Sequence, residues 1–137
     1  MSLTEQNRKD VVAYRIERAF SALEQAKANV RMNYLEVTAN RLYYAAYYAV
    51  SALLISYEIQ AHSHDGNIQQ FGLHFVKTGI VSRDMAKFLR QLFTMRLTGD
   101  YSDRFDLTAE DVLTKVQPTE VFVTTITNLA KEKMGIH

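Results

Sequence analysis

The 137-residue chain has no cysteine and no tryptophan, one proline and five glycines. The missing cysteine excludes a disulfide framework, a thiol nucleophile and any zinc site built on thiolates. It also fits a reducing compartment. With so little Pro and Gly, breaks are few and long helices are favoured. An excess of charge is lacking as well. Sixteen Lys and Arg face 15 Asp and Glu, a net charge of +1. A basic nucleic-acid footprint across the whole chain is therefore excluded, while local basic patches are not. A membrane-length apolar run is absent too. The stretch without charge, Leu42 to Tyr57, is rich in Tyr and Ala and lies between Arg41 and Glu58. It is shorter than the roughly 20 apolar residues that span a bilayer. A buried bundle helix or a dimer face is expected there, with no membrane contact. The polar start MSLTEQNRKD is not a signal peptide, so a cytoplasmic location is expected.

What is present is a helical pattern. Length and an ordinary apolar share of 47% predict one domain over 1–137. Val12, Ile16, Ala19, Phe20, Leu23 and Ala26 form one apolar stripe, in a helix that starts near Thr4 and ends near Arg31–Asn33. Ser2 and Glu5 have capping-box spacing. Tyr34–Ile59 carries only Glu36, Arg41 and Glu58 as charges, which predicts a central helix buried on most sides. Gln60–Gly66 reads as a polar loop ending in Asp-Gly. Asn67–Lys77 suits a short helix with Gly79 as C-cap. Ser82 can cap a fourth helix bearing Met85, Phe88, Leu89, Leu92, Phe93 and Leu97. Thr98–Asp106 reads as a turn-rich loop. Thr108 and Asp111 form a second capping-box pair. Pro118 interrupts the last helical segment. Val121–Thr125 is β-prone, but a lone strand has no partner, so helix is kept. KEKMGIH is expected to fray. The fold expected is all-α, an antiparallel up-and-down bundle of four main helices plus a short extra helix.

Three stretches carry a family resemblance: Asn40-Arg41-Leu42-Tyr43-Tyr44-Ala45-Ala46-Tyr47-Tyr48-Ala49; His64-Asp65-Gly66 followed by Phe71 to Gly79; and Arg96-Leu97-Thr98-Gly99-Asp100-Tyr101. In order and spacing the chain resembles the HEPN superfamily, in its small bacterial and archaeal UPF0332-like branch. The resemblance implies a four-helix bundle that dimerises. It also implies a minimal nucleotidyltransferase as partner, in toxin–antitoxin-like pairs, and an association with nucleotides or RNA. Active relatives are RNases that carry Arg, four to six residues, then His, with two copies meeting across the dimer. In some pairs the transferase silences the toxin by adding a nucleotide to a tyrosine. Here the positions that follow Arg96 at that spacing hold Tyr101, Ser102 and Asp103. A tyrosine, with a pKa near 10, moves protons poorly at neutral pH, whereas His does so readily. The expectation is a binding module without an intact RNase motif. Two alternatives stand beside it: an RNase toxin using Arg96 with Tyr101 or Asp103, and a purely structural assembly subunit.

The ligand-binding candidates are Arg96, Asp100, Tyr101, Asn40, Arg41 and Tyr44. Arg96 and Asp100, four apart, share a helix face and can pair. The pair is either structural or an oriented guanidinium for phosphate. Tyr101 is a packed tyrosine or a nucleotide acceptor. Asn40 and Arg41 interrupt an apolar helix and need partners; Arg41 is expected to reach Asp100 or Asp103, or to line the same cleft as Arg96. Tyr44 and Tyr48 share one face and Tyr43 and Tyr47 another, suited to core and dimer contacts or to stacking on bases. His62 and His64 read as solvent-facing loop residues, with Asp65 a possible helix cap. His74 reads as an ordinary packed or half-exposed His. No motif asks for a cofactor or a metal.

Overall fold

The first helix forms because Thr4, in extended backbone, takes the Asn7 amide on its hydroxyl at 3.0 Å. That satisfies one of the orphan donors of a helix start. In the computed structural model, which describes residues 3–101 and 107–137 with Tyr101 by its backbone alone, helix α1 then runs Glu5–Arg31. The cap is thus Thr4, not the expected Ser2, which lies outside the described residues. Asn33, in the left-handed region at φ 59, turns the chain back. Asn tolerates that conformation better than most residues.

Helix α2, Leu35–Ser56, is shorter than the expected Tyr34–Ile59. It stops where Glu58 enters the left-handed region (φ 58) and the Ile59 amide bonds the Leu54 carbonyl. Three cross-helix pairs fix how α1 and α2 meet: Arg8 with Glu58, Arg18 with Tyr48, and Gln25 with Arg41. As the α1 number rises the α2 number falls in step, so the two helices are antiparallel. Ala19, Ala22 and Ala26 of α1 and Ala39, Ala45, Ala46, Ala49 and Ala52 of α2 are all buried. Small side chains at such a seam let helix axes approach closely.

Helix α3, His64–Phe71, begins inside the expected loop. Ser63 is its cap, accepting the Gly66 amide at 2.9 Å, so Asp65 is a first-turn residue and not the cap. A π-helical turn, Gly72–Val76, and Gly79 at φ 85 close the segment. Helix α4, Arg83–Tyr101, follows with Ser82 accepting the Met85 amide. It continues through Thr98, Gly99 and Asp100, so the expected loop starts later; residues 102–106 lie outside the described part. Gly99 has a reason to lack a side chain: a Cβ there would stand 3.1 Å from Leu107 Cδ1.

The Thr108–Asp111 capping box is formed and opens α5, Ala109–Leu113. The chain breaks at Thr114 and Lys115, and Pro118 sits in the first turn of α6, Val116–Met134. A proline there removes a donor that has no intrahelical partner in any case. Val121–Thr125 is helical throughout. The C-terminal residues do not fray as expected: α6 holds to Met134 and ends on Gly135 at φ 67. Buried hydroxyls return to the backbone, as in Thr127 to the Val123 carbonyl at 2.7 Å.

Lys27 at the end of α1 reaches Glu120 early in α6, and Lys133 late in α6 lies over the Tyr57 ring just past α2. So α6 runs against α1 and along α2. Asn40 with Asp100 and Tyr43 with Phe93 set α4 antiparallel to α2. The described residues form an all-α up-and-down bundle of four long helices around α2, with α3 and α5 as short connecting helices. No described helix is long and apolar enough to cross a membrane.

Candidate functional site

The site lies where α2, α4 and the first turn of α3 meet. Its floor is Tyr43, fully buried among Tyr44, Tyr47, Phe93 and His64, with ring centroids 5.3 to 6.0 Å away. A buried phenol needs a hydrogen-bond partner. Here it is His64, whose Nδ1 lies 2.8 Å from the Tyr43 hydroxyl. His64 also packs on Tyr47 at 4.7 Å and Tyr44 at 5.7 Å.

Arg96 comes down from α4 into this aromatic set. It is 7% exposed, and its guanidinium carbon lies 5.2 Å from the Tyr43 ring centre, 5.7 Å from Tyr44 and 5.6 Å from Phe93. Ring faces attract such a cation. Asp100, one turn on, stands 3.7 Å from Arg96 and accepts a hydrogen bond from Asn40 Nδ2 at 3.1 Å. The Asn40 carbonyl oxygen in turn accepts from Arg41 Nε and Nη2 at 3.0 and 2.7 Å. Arg41 donates its other arm to Gln25 of α1 at 3.1 Å and lies 5.1 Å over the Tyr44 ring. Further along α2, Arg18 donates to Tyr48 at 2.7 Å and stacks on it.

Electrostatics follow from this packing. Burial, and then the positive charge of Arg96, push the His64 pKa below its ordinary value, against the opposing pull of Asp65. Burial pushes the Tyr43 phenol well above the ordinary tyrosine range, with Arg96 pulling the other way. The site therefore holds a neutral imidazole bonded to a neutral phenol, beside a guanidinium. Among the described residues no group of three His, Asp or Glu has the arrangement to hold a metal.

Of the six candidates read from sequence, five are brought together: Arg96, Asp100, Asn40, Arg41 and Tyr44. The side chain of the sixth, Tyr101, lies outside the described residues. Of the placements expected for Arg41, the pairing with Asp100 is corrected. Arg41 bonds Asn40 and Gln25, and it is Asn40 that reaches Asp100; Asp103 is outside the described residues. His62 is exposed as expected, and His74 is exposed with Gln70 as its partner. His64 is not the solvent-facing loop residue that was expected. Its signal was Ser63-x-x-Gly66, a cap that starts a helix at His64 and so turns a loop residue into one of fixed direction. Tyr43, read as a packing residue, forms the floor, and Phe93 lies beside it.

The HEPN domain family matches residues 12–129. The chain is 34% identical over 122 residues to a UPF0332 protein of Thermotoga maritima, covering 89% of this chain and 92% of that protein. A UPF0332 protein of Pyrococcus horikoshii is 44% identical over 50 residues, 36% of this chain and 35% of the relative. A Methanocaldococcus jannaschii protein that bears the name "putative toxin" is 27% identical over 96 residues, 70% of this chain and 65% of that protein. The chain belongs to the HEPN family, in the branch of the UPF0332 proteins.

Proposed function

We propose that this HEPN protein binds a nucleotide or a stretch of RNA over the Asn40–Arg41–Tyr44 face. It would act as a homodimer beside a minimal nucleotidyltransferase in a toxin–antitoxin-like pair. One observation carries the ligand half of this reading: two guanidinium groups, Arg41 and Arg96, converge on a single tyrosine ring, Tyr44, within 5.1 and 5.7 Å of its centre. Guanidinium beside aromatic ring is the chemistry that meets phosphate and base together. Arg41, only half buried and steadied by Asn40 and Gln25, is the group placed to touch phosphate. Arg96, more enclosed, adds positive charge from beneath. The partner and the dimer are what the family resemblance implies, and two relatives that bear the name "putative toxin" support the toxin-related part of the reading.

Calorimetry with mono- and dinucleotides and a short RNA tests the ligand half. The wild type should bind at least one of them, and Arg41→Ala should weaken that binding by about tenfold, the scale of one charge-assisted hydrogen bond. Equal affinity in Arg41→Ala, or no binding to any of the panel, removes the claim.

A further inference from the structure

A cavity of about 240 Å³ lies about two turns of α2 beyond Tyr44, where α1, α2 and the start of α3 meet. Two residues of its wall are polar and buried: Asn67 is 3% exposed and Ser51 8%. The backbone of Asn67 is served by its helix, the amide bonding the Ser63 carbonyl. Its side chain is not served. Oδ1 has no hydrogen-bond partner, and among the described residues the side-chain nitrogen and the Ser51 hydroxyl have none either. Turning the carboxamide over exchanges its two ends and leaves the deficit in place. A buried polar group left unmet costs stability, and the cavity is where its partner can stand. Arg15 of α1 also lines the cavity, half buried, and makes no ion pair with a described residue. No Asp or Glu lines it, while Leu54, Ile55 and Ile59 give it an aliphatic wall.

We infer that this cavity binds a small carboxylic acid that carries an amide and an aliphatic chain, of the N-acyl amino acid type. Each wall contributes to that choice. Asn67 and Ser51 are neutral and together offer donors and acceptors, which an amide edge with one N–H and one C=O meets. A cation is unwelcome there, since no acidic side chain offsets its loss of water. Arg15 presents a planar fork that suits a carboxylate through two parallel hydrogen bonds. Leu54, Ile55 and Ile59 take the aliphatic chain out of water. Size excludes a whole nucleotide: at about 30 Å³ per water the cavity has room for roughly eight waters, or on the order of ten heavy atoms. The site is therefore separate from the proposed nucleotide face and stands without it. Tyr47 is the wall between the two, lining the cavity and packing on His64 at 4.7 Å.

The test is calorimetry and amide NMR on the full chain, with N-acetyl-L-leucine as the probe. Saturable binding with a Kd on the order of millimolar or tighter is expected for a ligand this small. N-acetyl-leucinamide, which lacks the charge, and free leucine, which carries an ammonium, should each bind at least about tenfold more weakly, the scale of one charge-assisted hydrogen bond. Arg15→Gln should weaken the probe by the same factor, and Arg90→Gln, on the exposed side of α4, should bind as the wild type does. An acetylated tripeptide ending in leucine separates two sources of the same carboxylate. Its exclusion assigns the site to a free acid, and binding equal to the probe assigns it to a peptide end. In the wild type the side-chain amide resonances of Asn67 should shift on saturation, a readout that needs no variant to fold. No saturable binding at millimolar concentrations, equal affinity for the uncharged amide, full affinity in folded Arg15→Gln, or unmoved Asn67 resonances would each overturn the inference. Failure of nucleotides to bind at Arg41 would leave it standing, since the two sites are assayed with different ligands.

Discussion

Within the site, neighbours of the same type do different work. Tyr43 is fully buried and serves as anchor, whereas Tyr44, one residue on, is half exposed and gathers two guanidinium groups. Asn40 joins the two cationic halves, accepting from Arg41 and donating to Asp100. His64 makes a pH prediction. Its pKa is lowered in the folded protein, first by burial and then by Arg96. As the pH falls, the unfolded chain takes up the proton before the folded one does. The stabilising contribution is therefore whole above the unfolded value of about 6.5 and is lost as the pH drops toward the lowered folded value. Thermal midpoints measured from pH 7.5 to 5.0 should fall more steeply in the wild type than in His64→Gln. Parallel curves would show that His64 does not titrate differently on folding. Asn40, Arg41, Arg96 and Asp100 were legible in the sequence because charge in an apolar helix, or at four-residue spacing, demands partners. His64 was not, because one histidine in a polar stretch has no period, and its neighbours lie on other helices, Tyr43 being 21 residues away.

Among the helices, starts and stops decided more than propensity did. The apolar stripes of α1 and α2 were readable from their spacing. The ends were not always so, because a cap is a local competition between serines, threonines and aspartates for the same amides. Ser63 prevailed over Asp65, and Thr4 caps α1. Helix α4 runs past its polar stretch, where Thr98 returns its hydroxyl to the Thr94 carbonyl and Gly99 lies close to Leu107. The α6 residues Val121–Thr125 remained helical despite β-branching, since packing of Phe122, Val123 and Ile126 outweighs a weak propensity. Pro118 offers the test at this scale. An interior proline costs about 3 kcal/mol, so removing one would stabilise by that much. In the first turn of α6 the cost is absent, and Pro118→Ala should change stability by less than about 1 kcal/mol. Urea unfolding measures it; a gain near 3 kcal/mol would mean that the helix is continuous across this position.

For the whole molecule, α2 is the axis: α1 and α4 run against it and α6 runs along it. That arrangement sets the site at the junction of α2, α4 and α3, with α1 adding Gln25 from the side. The proposed assembly is a homodimer. Sedimentation equilibrium at micromolar concentration should return twice the 15.7 kDa chain mass. A monomer at those concentrations would remove the dimer from the proposal.

By itself the amino-acid sequence determined the helical class, the central position of α2, the α1 stripe and most of the charged candidates. Each of these is a periodic or local property, set by side-chain spacing of three and four residues and by the rarity of breakers. Only the tertiary structure decided what those residues meet. It brought His64 onto Tyr43, linked Asn40 to Asp100 across 60 residues and enclosed Arg96 among three rings. Contacts of that kind depend on the register between helices, which many side chains set together and no single stretch encodes.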